Sequence, residues 1–472
     1  MQYASTRGGM DGASFSDVLL AGLAPDGGLV VPEPVPVLSA RDLDRLRGAP
    51  YASVAAAVVA RFAPEIPEAE VARMAHDAYA PSVFDHPDVV SLSLLGPGVH
   101  LAGLSHGPTL AFKDMALQML GQLFEYELTR RGQRLTVLGA TSGDTGSSAE
   151  HAMIGKRHVD VFMLSPLGRT SPFQAAQMYT LDEPNIFNLA VRGVFDDCQD
   201  LVKAVNGDAE FKARYRIGAV NSINWARIAA QVAYYVFIAL HRRFDAQPVD
   251  VAVPTGNFGN VYAGFIARRM GAPIRRLIVA TNENDVLAEF FATGTYRIRD
   301  AAEVAATSSP SMDISKASNF ERYIYSIYGD DADAVRLRFG DLVAGGGFTV
   351  DEDARRAIAA TGLVAGSSSH DDRIATIRRL AAEQGVVVDP HTADGVKVGL
   401  DLRDPDVPLV CLETARPAKF AGTIEEALGA PPAIPARFAG LLDREQHVAV
   451  VDADLDAVKR YIAAHGNDAA RP

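Results

Sequence analysis

Two stretches of this chain share one construction: an apolar strand runs into a loop of glycine and small polar residues, and a helix follows. In the first, Arg134-Leu135-Thr136-Val137 leads into Leu138-Gly139-Ala140-Thr141-Ser142-Gly143-Asp144-Thr145-Gly146-Ser147-Ser148, with a helical run over 149–154. In the second, Val251-Ala252-Val253 leads into Pro254-Thr255-Gly256-Asn257-Phe258-Gly259-Asn260, with a helical run over 261–270. In an α/β sheet, ligands bind in this position, at the carboxyl ends of the strands. Small residues let a ligand approach the backbone, and the N–H groups of a helix start suit a carboxylate or phosphate. An ordinary cap explains one Ser, Asp or Thr there. It explains poorly a whole run of small and polar residues. The second loop is neither a Gly-x-Gly-x-x-Gly dinucleotide fingerprint nor a nucleoside-triphosphate P-loop. The first places its serine one position too late for a Gly-x-Ser-x-Gly hydrolase elbow.

The surrounding pattern agrees with an α/β chain. Strands are expected at 135–138, 159–164, 188–191, 249–253 and 277–280, with helices between them, as in a parallel sheet covered on both faces. Helices are also expected at 42–47, 51–62, 68–80, 371–384 and 392–400, extended segments at 89–94 and 99–104, and a buried strand at 409–412. Residues 295–320 and 340–350 read as loops, glycines 345–347 as a mobile turn, and 467–472 as a frayed tip. With 472 residues, two or three domains are expected. The division is 1–90 for an opening region, 91–430 for a core and 431–472 for a C-terminal extension.

The charge balance, 45 Lys+Arg against 58 Asp+Glu, disfavours nucleic acid or an anionic membrane as partner. An anionic substrate would need local positive charge. No apolar run reaches the ~18 residues of a membrane span, and no signal peptide is read. Two cysteines, Cys198 and Cys411, make no disulfide framework and fit a reducing cytoplasm. No His/Cys/Asp cluster has metal spacing. Asp196-Asp197 ahead of Cys198 disfavours a thiolate there.

Lys113 is the candidate reactive group. It lies in Ser105-His106-Gly107-Pro108-Thr109-Leu110-Ala111-Phe112-Lys113-Asp114-Met115-Ala116, at or just inside a helix start after a tight turn. A lysine between Phe112 and an apolar helix is a candidate Schiff-base former, because desolvation favours the neutral amine. The alternative is a lysine that snorkels to the surface and pairs with Asp114. His106 and His391 each have a site reading and a turn or capping reading, and Trp225 reads as packing.

With Leu412-Glu413-Thr414-Ala415, these segments resemble pyridoxal-5′-phosphate enzymes of the tryptophan-synthase-β fold type, PLP fold type II. Within that type the chain resembles the threonine synthases of the long form. The resemblance rests further on Tyr3-Ala4-Ser5-Thr6-Arg7-Gly8-Gly9, Gly22-Leu23-Ala24-Pro25-Asp26-Gly27-Gly28-Leu29 and Phe195-Asp196-Asp197-Cys198-Gln199. It also rests on Asn221-Ser222-Ile223-Asn224-Trp225-Ala226-Arg227, Ser311-Met312-Asp313-Ile314 and Ser318-Asn319-Phe320-Glu321-Arg322. It covers about residues 3 to 425. Arg416 departs from it, standing where the family carries histidine.

The resemblance implies two open, intertwined α/β domains with the cofactor between them, behind a small N-terminal region. It implies conversion of O-phospho-L-homoserine and water to L-threonine and phosphate, by a monomer or homodimer. Lys113 would form the imine. The backbone of Gly256, Asn257, Phe258, Gly259 and Asn260 would hold the cofactor phosphate. Asp144 would lie by the ring oxygen and Thr414 by the ring nitrogen. Thr141, Ser142 and Thr145 would meet the substrate carboxylate. For the substrate phosphate the candidates are Arg227, Lys316 and Arg322, with Asn224, Ser318 and Asn319 as neutral donors. Arg227 in a helix-face salt bridge and Lys316 as a solvated loop charge remain open. The rival readings are another PLP-dependent lyase or dehydratase, or a silent paralogue that binds phosphorylated ligands.

Overall fold

Every strand that leads into a candidate loop is buried along nearly its whole length, as in the two largest sheets of the chain, one mainly and one wholly parallel. The computed structural model describes residues 1–466 apart from Ala219, Ala246 and Ala301; the expected frayed tip at 467–472 lies outside the described residues. The larger sheet has six strands, in the order Leu363–Ser367, Ile274–Thr281, Val249–Pro254, Leu409–Leu412, Val99–Gly103 and Ser91–Gly96. All neighbours are parallel except the last pair, whose short turn makes it antiparallel. The second sheet is parallel throughout: Val448–Asp452, Ile186–Arg192, Val159–Pro166, Leu135–Ala140 and Ile217–Gly218. All residues of Val159–Pro166 and Val249–Pro254 are buried, as strands covered on both faces must be. Both expected sheets are therefore present.

The opening region folds around a two-stranded antiparallel pair, Gln2–Ser5 with Val30–Glu33. It is tied to the larger body by buried polar groups. Thr6 Oγ1 donates to Glu321 Oε1 at 2.6 Å, Arg7 forms an ion pair with Glu321 at 2.7 Å, and Arg322 Nε donates to the Val30 carbonyl at 2.9 Å. Tyr3 and Phe62 meet Trp225 in tilted and edge-on contacts as one buried aromatic cluster, so Trp225 is packing, as expected. The helices Lys113–Arg131, Trp225–Ala239 and Gly259–Arg269 form the apolar centre that this region covers. Among the described residues, no helix is long and apolar enough to cross a membrane.

Several expectations need correction. The helix of the first loop starts at Asp144 and not near 149, so its small polar residues make up the first turns. The stretches 295–320 and 340–350 are not plain loops. Thr295–Arg297 pairs antiparallel with Gly347–Thr349, and the helix Ala332–Gly345 runs into the second stretch. Gly346, at φ 74°, is the left-handed cap of that helix, so the glycine run is a helix stop rather than a mobile turn. Tyr296, Phe320, Phe339 and Phe348 pack against one another beneath it. Three-residue strands are too short for an alternation to be read in sequence.

Candidate active site

The carboxyl ends of three adjacent parallel strands converge on one edge of the larger sheet. Val99–Gly103 feeds the Lys113 loop, Leu409–Leu412 feeds Glu413 and Thr414, and Val249–Pro254 feeds the glycine loop 255–260. The first two are stitched together: Phe112 N–H donates to the Thr414 carbonyl at 2.8 Å, and Arg416 N–H to the Leu110 carbonyl at 3.0 Å. From the second sheet, Leu135–Ala140 delivers the loop Thr141–Gly143 and the helix start at Asp144. Asp144 closes the gap between the sheets, its Oδ2 lying 3.4 Å from Lys113 Nζ.

Lys113 opens its helix and keeps 12% side-chain exposure. It does not pair with Asp114, whose carboxylate accepts the Thr109 N–H at 2.8 Å and the Thr109 hydroxyl at 2.7 Å. Burial lowers the proton affinity of Lys113; Asp144 opposes this, while Lys419 and Arg227 add to it. Asp144 is 3% exposed. Burial alone would raise its pKa, but Lys419 and then Lys113 hold the carboxyl well below the usual range.

The glycine loop is held at close quarters. A Cβ on Gly256 would fall 2.5 Å from the Ser311 carbonyl oxygen, so only glycine fits. Phe258 is left-handed at φ 64°, costly for a bulky residue, and its ring is clamped between Phe320, Tyr323 and Phe291. Its N–H is turned back to the Gly256 carbonyl at 2.8 Å, whereas Asn257, Gly259 and Asn260 leave theirs at the helix start. Asn260 Oδ1 accepts the hydroxyls of Tyr234 and Tyr235, the latter at 2.7 Å, which leaves its NH₂ as donor. In the other loop, Thr141 Oγ1 accepts the N–H groups of Gly143 and Gly146, each at 2.9 Å. A Cβ on Gly143, φ 150°, would meet Gln174 at 2.6 Å. Ser142 is exposed and Thr145 half-buried.

The other candidates separate by the partners they already have. Asn224 caps its helix through Oδ1 and donates to the Leu19 carbonyl, so both ends of its amide are used. Arg322 donates to the Val30 and Ile223 carbonyls and to Asn319 Oδ1, and its guanidinium lies over Trp225. It cross-links the opening region. Ser318 donates to Asn257 Oδ1 at 3.2 Å, and Asn319 N–H to the Asn257 carbonyl at 3.0 Å, so both brace the glycine loop. The Asn319 side-chain nitrogen is buried without an acceptor. Lys316 is exposed.

Arg227 differs from all of these. It is 4% exposed, its Nη1 donates to the Val220 carbonyl at 2.9 Å, and its Nε has no acceptor. Among the described residues no carboxylate pairs with it, so the helix-face salt bridge is not formed. Burial pushes its pKa down to about 10.

Two buried side chains that touch Asp144 escaped the sequence reading. Lys419 Nζ lies 2.8 Å from Asp144 Oδ1 and donates to the Thr109 carbonyl at 2.8 Å; Gln174 Nε2 donates to the same Oδ1 at 2.7 Å. A lysine between Ala418 and Phe420, five residues past Thr414, was the available signal. His106 is a turn residue: Arg416 donates to its Nδ1 at 2.8 Å and Ser91 meets its Nε2 at 2.8 Å. Burial, then Arg416 and His86, push its pKa down to about 4, so the ring is neutral. Arg416 thus spends its charge on His106 and on Glu413, 3.6 Å away. Burial pushes the Cys198 thiol up to about 11, which agrees with an inert cysteine.

Three family models match along the chain: threonine synthase N terminus over residues 2–79, pyridoxal-phosphate dependent enzyme over 90–407, and threonine synthase, C-terminal, over 392–462. The threonine synthase of Corynebacterium glutamicum is 53% identical over 98% of both chains, and that of Methylobacillus glycogenes 51% over 98% of this chain and all of the other. Among solved structures, PLP-bound threonine synthase from Brucella melitensis superposes with a TM-score of 0.95 at 44% identity, over 99% of this chain and all of that one. The yeast enzyme gives 0.92 at 36% identity, over 98% of each chain. The chain belongs to the threonine synthase family of pyridoxal-phosphate-dependent enzymes.

Proposed function

We propose that the chain converts O-phospho-L-homoserine and water to L-threonine and phosphate, and that pyridoxal 5′-phosphate sits between the two sheets with Lys113 at its aldehyde carbon. The observation that carries this reading is that the field at a desolvated lysine includes Arg227, a buried guanidinium with no carboxylate partner among the described residues. The residues present fit the cofactor. A helix N-terminus faces the site from a loop where any Cβ at residue 256 would collide, and the Asn319 amide nitrogen is buried without an acceptor. Backbone N–H groups of Gly256, Asn257, Gly259 and Asn260 would hold the cofactor phosphate, with Phe258 fixing the turn. Thr414, whose backbone is clamped to Phe112 and Thr392, would offer its hydroxyl to the ring nitrogen, donating a hydrogen bond without handing over a proton. Asp144, held as a carboxylate, would lie by the ring oxygen.

Bound there, the cofactor supplies an electron-accepting ring conjugated to the substrate nitrogen. The protein does the rest. Lys113, with its proton affinity lowered, would take the proton from Cα and return it at the end. Arg227 would bind the substrate phosphate and balance its charge as it leaves Cγ. The exposed Ser142 and half-buried Thr145 would meet the carboxylate at the start of the Asp144 helix, with Thr141 shaping the loop beneath them. The exposed Lys316 would meet the phosphate from solvent. The buried thiols Cys198 and Cys411 support a reducing compartment, the cytoplasm.

The test is phosphate release from O-phosphohomoserine, with threonine quantified in the same tubes, for the wild type and Lys113→Ala. Equal phosphate and threonine from the wild type and none from the variant is the expected result. A cofactor-loaded protein that releases no phosphate would move the activity to another amino-acid substrate.

A further inference from the structure

Asp144 has two lysine neighbours, and they are not equivalent. Lys419 Nζ lies 2.8 Å from Oδ1, while Lys113 Nζ lies 3.4 Å from Oδ2. Oδ1 also accepts Gln174 Nε2 at 2.7 Å. Lys419 has no side-chain exposure, and it donates as well to the Thr109 carbonyl at 2.8 Å. It is therefore fixed both to the loop that delivers Lys113 and to the carboxylate beside it. One desolvated carboxylate cannot balance two buried ammonium ions; the second stays charged only at high cost.

We propose that Lys419 is a positioning residue that takes up the charge of Asp144, so that Lys113 stands beside it as the free amine. This rests on the reading of Lys113 as the reacting group, since the free amine is the form that attacks a carbonyl carbon or accepts a proton. The charged groups that face Lys113 are Asp144, Lys419 and Arg227, and the Phe112 ring lies 5.2 Å from its Nζ. Asp144 is also faced by His391, and Lys419 faces His151. All the cations around Lys113 other than its own act to discharge it, and Asp144 alone opposes them. Removal of Lys419 would leave Asp144 to Lys113 alone, and Lys113 would keep its proton to a higher pH.

The test is pulse acetylation of the full chain, freed of cofactor, with acetic anhydride at stepped pH, read peptide by peptide by mass spectrometry. The quantity compared is the pH midpoint of labelling, not its extent, so a change in access does not imitate the effect. In the wild type, the Lys113 midpoint should lie below the ordinary lysine value. Lys419→Met should raise the Lys113 midpoint by about one pH unit or more, and Lys419→Arg, which keeps the charge, should leave it nearly unmoved. An unmoved midpoint in Lys419→Met overturns the proposal, as does an equal shift in both variants. If Lys419→Met does not fold, Lys419→Gln, which also removes the charge, takes its place in the same comparison. If Lys113→Ala still made threonine, the catalytic reading of Lys113 would fail, yet these midpoints would still report whether Lys419 holds the charge.

Discussion

His391 Nε2 accepts the Ser311 backbone N–H at 3.0 Å, which fixes its proton on Nδ1, facing Asp389 Oδ1 at 2.8 Å. Ser311 is the residue whose carbonyl presses on Gly256. The other oxygen of Asp389 receives the Thr392 hydroxyl and, at 3.2 Å, the Ala415 N–H beside Thr414. One buried carboxylate thus sets the position of both the glycine loop and the Thr414 strand end. Histidine here is a brace and not the cap: the cap of its helix is Asp389, whose side chain accepts the His391 N–H. His391→Phe keeps the ring volume and removes the acceptor. The expected result is cofactor lost about tenfold more readily, the worth of one buried hydrogen bond. Titration of the cofactor-free protein with pyridoxal phosphate checks it; an unchanged dissociation constant would mean that the loop is held by other contacts.

Gly256→Ala tests the same contact from the other side. The added methyl would meet a backbone oxygen at 2.5 Å, and backbone has no rotamer to yield. Overpacking of this kind costs about 1–3 kcal/mol. Much of that strain should fall on the loop, so cofactor affinity should drop by more than tenfold while the unfolding temperature falls by only a few degrees. A large drop in unfolding temperature with normal affinity would place the strain elsewhere.

Much of the site was legible because it is local. Lys113, the 141–145 segment and the 254–260 loop each join a strand end to a helix start; the periodicity located Lys113 and the second loop to within a few residues, but put the helix that begins at Asp144 five residues too late. What was hidden depends on pairing distant in sequence. Lys419 gains its meaning only from Asp144, and Arg322 is a cross-link to Val30 and Ile223 that no local pattern marks. The strand Val448–Asp452 escaped notice because it is a half-exposed edge strand, defined by its partner Ile186–Arg192 and not by an apolar run of its own.

Arg227 and Arg322 are both buried guanidiniums whose pKa burial lowers to about 10, but they should fail differently when removed. Arg322 has carbonyl and amide acceptors around it, and loss of these bonds strands them. Arg322→Met should therefore destabilise the chain by about 3 kcal/mol or more. Arg227 makes one carbonyl bond and carries an uncompensated charge. Arg227→Met should leave the unfolding free energy unchanged or higher, while kcat/KM for the phosphorylated substrate falls by about a hundredfold or more. Denaturant unfolding of both variants, beside steady-state kinetics of Arg227→Met, checks the contrast.

Glu150 is a buried carboxyl in the helix Asp144–Met153, and among the described residues no salt bridge holds its charge. Burial pushes its pKa well above the usual range; the Asn188 side chain opposes this, but neither carboxyl oxygen meets hydrogen-bond geometry. The folded chain therefore keeps a proton that the unfolded chain releases near the ordinary glutamate value of about 4.3. Above that value, folding takes up a proton, so stability is fully present at lower pH and is lost as pH rises toward the folded pKa. Glu150→Gln replaces the acid with a group that needs no proton, and its NH₂ can donate to Asn188 Oδ1, which has no partner. Near pH 4 the variant should match the wild type. Above it the variant should gain about 1.4 kcal/mol per pH unit over the wild type until the folded pKa is reached. Urea unfolding at three pH values from mildly acidic to mildly alkaline measures this, and a difference that does not change with pH would show that Glu150 is ionised in the folded chain.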